Sequence, residues 1–250
     1  MKKDNIIAII PARGGSKGIF KKNIINLAGF PLIAYSIIAA KLSKIISRII
    51  ISTDSDEIAE IAKYYGAEVP FLRPAEFATD TSGDYEVFKH AIEWLKENEN
   101  YEPEYIVHLR PTTPLRDSVL IDNAIEKIMK NEEATSLRSG HELRESPYKC
   151  FSIENGYFVG LFPKDPMPDY YNLPRQFFPP VYQPDGYVDV LKIKTLIKDN
   201  VFHGSKILSF VAPDTGEVDT LENLEFIKFN LEKKDYKIYR FLKNNFKSIS

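Results

Sequence analysis

The sequence predicts an α/β three-layer sandwich around a mostly parallel sheet, and three observations lead there. Apolar runs of strand length alternate with helix-length amphipathic segments along most of the chain. The first run, Ile6 to Pro11, is nearly continuous, as expected of a strand covered on both faces. A glycine-rich turn follows it at once, and ligands bind beyond the carboxyl ends of strands in such sheets.

The elements follow in order. Pro31 sits where a helix can begin, and Leu32, Tyr35, Ile38, Ala39 and Leu42 fall on one helical face. Arg48 to Ser52 reads as a second strand, and Thr53-Asp54-Ser55 offers caps for a helix through Tyr65. The pattern then repeats, with a helix around Asp84 to Asn98, a strand at Tyr105 to Leu109, a helix from about Asp117 to Asn131 and a strand around Thr135 to Arg138. Between about Gly140 and Pro184 the rhythm stops in a stretch rich in Pro and aromatics. A loop of that length without structure does not suit a compact domain, so an inserted arm or flap is expected. Strands at Gly186 to Leu191 and Lys206 to Val211 and a helix from about Leu221 close the chain. The expected organisation is one domain over residues 1–250, with the arm at about 140–184.

Composition narrows the function. The hydrophobic fraction of 44% and charged fraction of 27% are those of an ordered globular protein. With 33 basic against 35 acidic residues the net charge is −2, so neither nucleic acid nor an anionic membrane is the expected partner. The apolar run after Lys2-Lys3 is too short for a signal peptide, and no stretch reaches the length of a membrane span. Cys150 is the single cysteine, which excludes an intrachain disulfide and fits a cytoplasmic location. The four histidines lack the spacing of zinc ligands. His108 reads by default as a satisfied core residue, with a place in the site wall as the alternative.

The strongest chemical signal is Pro11-Ala12-Arg13-Gly14-Gly15-Ser16-Lys17-Gly18, followed by Lys21-Lys22-Asn23. Glycines after a strand let backbone N–H groups approach an anion, and the cations nearby neutralise a polyphosphate. The spacing is neither that of a Walker A loop nor that of the dinucleotide fingerprint, and a basic flexible turn is the plainer alternative. Asp80 to Ser82 are good capping residues for the helix that follows. Glu217 and Asp219 alternate, so on a strand they would share a face, as Mg²⁺ coordination with phosphate oxygens requires; Asp219 or Thr220 as a cap for the last helix is the alternative.

IIPARGGSKGIFKKN, ISTDSDEIAEIAKYYGAEV, FLRPAEFATDTS, LRPTTPLRD and the late PRQ and EVDT elements together resemble the acylneuraminate cytidylyltransferases. The resemblance runs in order from about Ile6 to the final helix. It implies a Rossmann-like nucleotidyltransferase fold with a dimerisation arm. It also implies an Mg²⁺-dependent enzyme that joins CMP from CTP to the anomeric hydroxyl of a nonulosonic acid. A CMP-Kdo-type or other sugar nucleotidyltransferase is the alternative, and a non-catalytic nucleotide-binding module stands further off.

By the same resemblance, Arg13, Gly14, Gly15, Ser16, Lys17, Lys22 and Asn23 hold the CTP phosphates, with Arg13, Lys22 and Asp219 catalytic. Arg73, Thr81 and Ser82 read cytosine. Arg110 and Thr112 form a sugar-side wall, with Arg110 standing where many relatives have Gln and able to grip the sugar carboxylate. Arg175 and Gln176 serve the acceptor sugar from an arm whose Phe177, Phe178 and Tyr182 anchor a homodimer, an intrachain cover being the alternative. Asp219 and Glu217 hold the metal, Glu217 replacing a more usual Asp.

Overall fold

The computed structural model describes residues 5–16, 18–162 and 169–249. Its centre is a six-stranded sheet made from β1 (Ile6–Pro11), β4 (Arg48–Ser52), β5 (Tyr105–His108), β6 (Ser136–Glu142), β9 (Tyr182–Lys192) and β10 (Ile207–Val211). The spatial order is β10-β6-β9-β5-β1-β4. β1 runs parallel to β4 and β5, and β10 parallel to β6, whereas β9 enters antiparallel between β5 and β6.

Alternation along β1 explains the layers. Ile6, Ala8 and Ile10 face one apolar cluster while Ile7 and Ile9 face another, so the strand is buried on both sides. The first cluster is closed by α1 (Leu32–Lys41), α2 (Asp56–Tyr64), α4 (Ser118–Met129), α6 (Leu221–Lys233) and α7 (Lys237–Asn245). The second is closed by α3 (Asp84–Glu99) and α5 (Ile193–Lys198).

Local chemistry sets the boundaries. Ser55 caps α2 by accepting from the Ile58 N–H, and Asp117 caps α4 through the Val119 N–H. Thr220 and Asn223 form a reciprocal capping box at the start of α6. α1 departs from the one-faced helix expected, because every residue from Leu32 to Ala40 is buried. The reason is α7, whose Tyr239 ring lies against both Phe30 and Tyr35. The closing helix is accordingly two, α6 and α7. A small hairpin, β2 (Asn26–Leu27) with β3 (Phe30–Pro31), leads into α1.

The segment after β6 holds a second hairpin, β7 (Phe151–Glu154) with β8 (Tyr157–Gly160), outside the main sheet. Asn155 and Gly156 both have positive φ in its two-residue turn, the backbone that matches strand twist. β9 then begins at Tyr182, pairs outward with β6, and carries a register shift opposite Arg138 and Gly140 before running into the core.

Candidate active site

A cavity of about 400 Å³ opens beyond the carboxyl ends of β1 and β5. Arg13, Ser16, Gly18, Lys22 and Asn23 line one part of it, Arg73, Phe77, Thr79, Asp80 and Ser82 another, and Asp84, His108, Arg110 and Thr112 a third. Residues from the expected phosphate, base and sugar segments therefore share one space. Lys17 lies outside the described residues.

The loop after β1 is held by its own polar groups. Asn23 is buried and donates from Nδ2 to the Arg13 carbonyl at 2.9 Å, while the Gly14 N–H donates to Asp54 Oδ1 at 2.8 Å. A Cβ on Gly14 would sit 3.2 Å from that of Ser55, whereas Gly15 faces open space. Arg13 reaches across the cavity to the Thr79 carbonyl at 2.6 Å and to Asp80 at 2.8 Å, tying the phosphate loop to the segment that reads the base in the resemblance.

Lys22 projects into the cavity and its Nζ lies 3.0 Å from Asp219 Oδ1. The two are 197 residues apart in sequence. Asp219 is exposed, and its backbone carbonyl approaches Gly18 so closely that a Cβ there would stand at 3.0 Å. Residues 212–218 form no strand, so the shared face expected of Glu217 and Asp219 does not arise from alternation. Thr112 donates instead to Glu217 Oε1 at 2.7 Å, and the Val218 N–H to the Thr112 carbonyl at 2.7 Å, which bind this loop to the turn after β5. Among the described residues no group of three or more His, Cys, Asp or Glu could by itself hold a metal ion.

Arg73 is buried and fixed by Ser52, donating from Nε to the hydroxyl at 3.0 Å and from a terminal nitrogen to the carbonyl. Burial pulls its pKa down to about 10. Asp80 to Ser82 are not the cap of α3: Gly83 holds that position with no side-chain bond. Their hydroxyls tie a tight turn instead, Ser82 bonding Thr79 and the Glu76 carbonyl, and Thr81 lying 3.2 Å from Thr79 Oγ1.

Arg110 bridges two carboxylates, Asp189 and Asp84, each at 3.0 Å. Its guanidinium is thus already engaged on both terminal nitrogens. Arg116, behind it, is buried and uses all five N–H groups on Tyr187, Gly186, Arg110 and Thr113 carbonyls and the Ser36 hydroxyl. Burial draws its pKa down to about 9. His108 is fully buried but not a satisfied core residue, since neither ring nitrogen has a hydrogen-bond partner and the ring lines the cavity. Arg175 and Gln176 lie elsewhere, in a second cavity with Glu142, Ser146 and Phe178, and Arg175 stands 3.7 Å from Glu142.

Thr79, Asp84 and Asp189 escaped the sequence reading. Asp189 had left a signal, a lone carboxylate inside the apolar run of β9. Thr79 and Asp84 flank the Asp80 to Ser82 stretch, but only the fold turns them toward the cavity.

The sequence model of the family described as Cytidylyltransferase matches residues 7–154, more than half the chain. The chain belongs to that family. It is 31% identical over 224 residues to a pseudaminic acid cytidylyltransferase of Campylobacter jejuni, covering 89% of this chain and 94% of the relative. It is 30% identical over 224 residues to an N-acylneuraminate cytidylyltransferase of Escherichia coli, covering 90% of this chain but spanning about half, 51%, of that relative. In fold it is similar to a solved CMP:2-keto-3-deoxy-manno-octonic acid synthetase complexed with CTP, with a TM-score of 0.66 at 14% identity over 91% of this chain and 98% of that one. This cytidylyltransferase shares its mostly parallel α/β architecture with that enzyme. Among its described residues no helix is long and apolar enough to cross a membrane.

Proposed function

We propose that the chain transfers the cytidylyl group of CTP to the anomeric hydroxyl of a nonulosonic acid and releases pyrophosphate. The observation that carries this reading is the cavity lined by Arg13, Ser16, Gly18 and Lys22, from which Lys22 pairs with Asp219, in a chain of this family. The names of its relatives, which specify pseudaminic and N-acylneuraminic acids, support the acceptor class.

The chain's residues have distinct tasks. Arg13 and Lys22 stabilise charge on the transferring and departing phosphates, and they are preorganised, so little rearrangement opposes the reaction. Ser16, Gly15 and the backbone around them bind phosphate oxygens. Arg73 and the Thr79 to Ser82 turn hold the base, and Thr112 holds Glu217 by donating to its Oε1. The donors available suit Mg²⁺: Asp219 offers an exposed hard oxygen at the loop, and this ion commonly takes one or two carboxylates together with phosphate oxygens. Asp219 would be its principal ligand, and Glu217, two residues earlier on the same loop, would be the second. Magnesium bound with CTP supplies positive charge at the phosphates. Holding the hydroxyl and the α-phosphate in line supplies much of the acceleration.

The enzyme acts as a cytoplasmic homodimer. The segment at about 140–184 is the arm of that dimer, and the exposure of Ile153, Tyr157, Phe158, Phe177 and Tyr182 supports this. Phe178, expected as an anchor, stacks on Tyr148 of its own chain. Arg175 and Gln176 on the arm serve the acceptor bound by the neighbouring subunit.

The test is pyrophosphate release from CTP and Mg²⁺ with N-acetylneuraminic, legionaminic and pseudaminic acids and Kdo, beside an Asp219→Ala control. Turnover with a nine-carbon acid that is lost in the control supports the reading. Turnover with Kdo alone moves the acceptor to an eight-carbon acid, and CTP binding without turnover on any acid refutes catalysis.

A further inference from the structure

The part of the cavity around Arg110 carries a charge pattern that a bound carboxylate does not suit. One guanidinium there is held at 3.0 Å by each of two carboxylates, Asp84 and Asp189, and Arg138 stands 3.8 Å from the second, so these charges are already matched among themselves. Both terminal nitrogens of Arg110 are engaged, which leaves no free fork for a bidentate grip on an incoming carboxylate. Hydrogen-bond donors meet the opposite situation. Asp84, the first residue of α3, is partly open to the cavity and its contact with Arg110 runs through Oδ2.

His108 supplies an independent observation. It is wholly buried, faces the same cavity, and has no hydrogen bond on either ring nitrogen. Phe88 and Phe202 pack on its ring at 4.7 and 5.9 Å between centroids, so its surroundings on that side are apolar. Its Nδ1 lies 3.8 Å from Asp189 Oδ2, too far for a hydrogen bond, and a neutral imidazole keeps one ring nitrogen as an acceptor in either tautomer. Burial, reinforced by Arg110, Arg116, His203 and Arg138, holds the imidazole well below its usual pKa, so it is neutral at physiological pH. A buried polar atom without a partner is rare in native proteins, and one in a cavity wall points to a ligand.

We propose that Asp84 and His108 form a subsite that accepts hydrogen bonds from the hydroxyl groups of a sugar ring, with Arg110 and Asp189 as the residues that position them. The subsite rests on the cytidylyltransferase reading for the identity of its sugars. Two sources share this chemistry, the ribose diol of the nucleotide and the hydroxyl or amide N–H groups of the acceptor. Arg110 then fixes the Asp84 carboxylate instead of gripping the acceptor's own.

The test uses Asp84→Asn and His108→Phe. The first keeps shape at a partly exposed position; the second keeps an aromatic ring against Phe88 and Phe202. Calorimetric binding of CTP and 2′-deoxy-CTP is measured for each variant and the parent, with KM for the acid that the parent uses. If ribose is the source, Asp84→Asn weakens CTP binding about tenfold, the size expected for one charge-assisted hydrogen bond, and leaves 2′-deoxy-CTP unchanged. If the acceptor is the source, both nucleotides bind as in the parent and the acceptor KM rises by a similar factor at unaltered KM for CTP. Arg110→Lys, which cannot span both carboxylates, weakens the same ligand and leaves the other ligand's binding at the parental value. A general loss of fit would instead weaken both nucleotides and the acceptor together, and that result overturns the subsite, as does parental behaviour in Asp84→Asn. A parent that discriminates CTP from 2′-deoxy-CTP through Asp84 but turns over no acid refutes catalysis and leaves the subsite standing.

Discussion

Replacing Arg116 with Lys tests whether the 110–113 loop is held by one buried guanidinium. Arg116 donates to Tyr187 O at 2.5 Å, to Ser36 Oγ, Arg110 O and Gly186 O at 2.8 Å each, and to Thr113 O. These acceptors belong to α1, to the 110–113 loop and to the irregular part of β9, so the side chain joins three separate pieces of chain. A lysine has three N–H groups on a single nitrogen, so at least two acceptors lose their donor. At about 1–3 kcal/mol for each buried acceptor left unpaired, the loss is about 2–6 kcal/mol. For a chain of this size that corresponds to a fall in Tm of roughly 4–24 °C. Urea unfolding monitored by circular dichroism gives the free energy directly, and differential scanning calorimetry the temperature. Any stable remainder should also show a raised acceptor KM, because the Arg110 carbonyl and its loop are released. A destabilisation under about 1 kcal/mol would refute the reasoning, since it would mean that the five bonds are not jointly required.

Other outcomes follow from the same geometry. Lys22→Ala should lower kcat by roughly 10²–10³-fold in pyrophosphate-release assays, as expected when a preorganised positive group is removed, with far less effect on thermal stability. Gly186→Ala should destabilise the protein and weaken acceptor use in the same assays. Gly186 has φ +63, and a Cβ there would stand 3.1 Å from Thr113 Oγ1 and 3.2 Å from Arg110 Cδ. Stability should decline as pH falls from about 6.5, because burial pushes the pKa of His203 down to about 4. Between those values the unfolded chain binds a proton that the folded one does not, so the loss accumulates downward and levels off below about 4. Urea midpoints across that window, in the parent and in His203→Gln, check the slope. Light scattering should find the parent as the proposed dimer and Phe158→Asp as a monomer, without a lower melting temperature of the subunit, because the ring is 75% exposed.

The parts of this molecule legible in its sequence are those in which neighbours in sequence are neighbours in space. β1 and its loop could be read because an unbroken apolar run must be covered on both faces and glycines must serve close backbone approach. Ser55, Asp117 and Thr220 announced their helices because capping is a local bond. The meeting of Lys22 with Asp219 was not legible, since no spacing rule links residues 197 apart. Nor could periodicity foresee that residues 212–218 would bind Thr112 from an irregular loop, or that α7 would bury the outer side of α1. The pairing of Arg110 with Asp84 and Asp189 depends on β9 entering antiparallel beside β5, a choice of direction that side-chain pattern alone does not encode.

That placement of β9 also fixes when the two halves of the sheet can join during synthesis. β5 and β6 are not bonded to each other; each pairs with β9, which is made 40 residues after β6 ends. Until Tyr182–Lys192 leaves the ribosome, the growing chain holds β4, β1 and β5 as one partial sheet with an open edge, while β6 waits without its neighbours. Open edges of apolar strands are sites of misassociation, and pairing between distant segments is slow. β9 alone bonds the β5 edge to β6, and the outer edge of β6 stays open until β10 follows, so the sheet closes from its middle outward late in the chain.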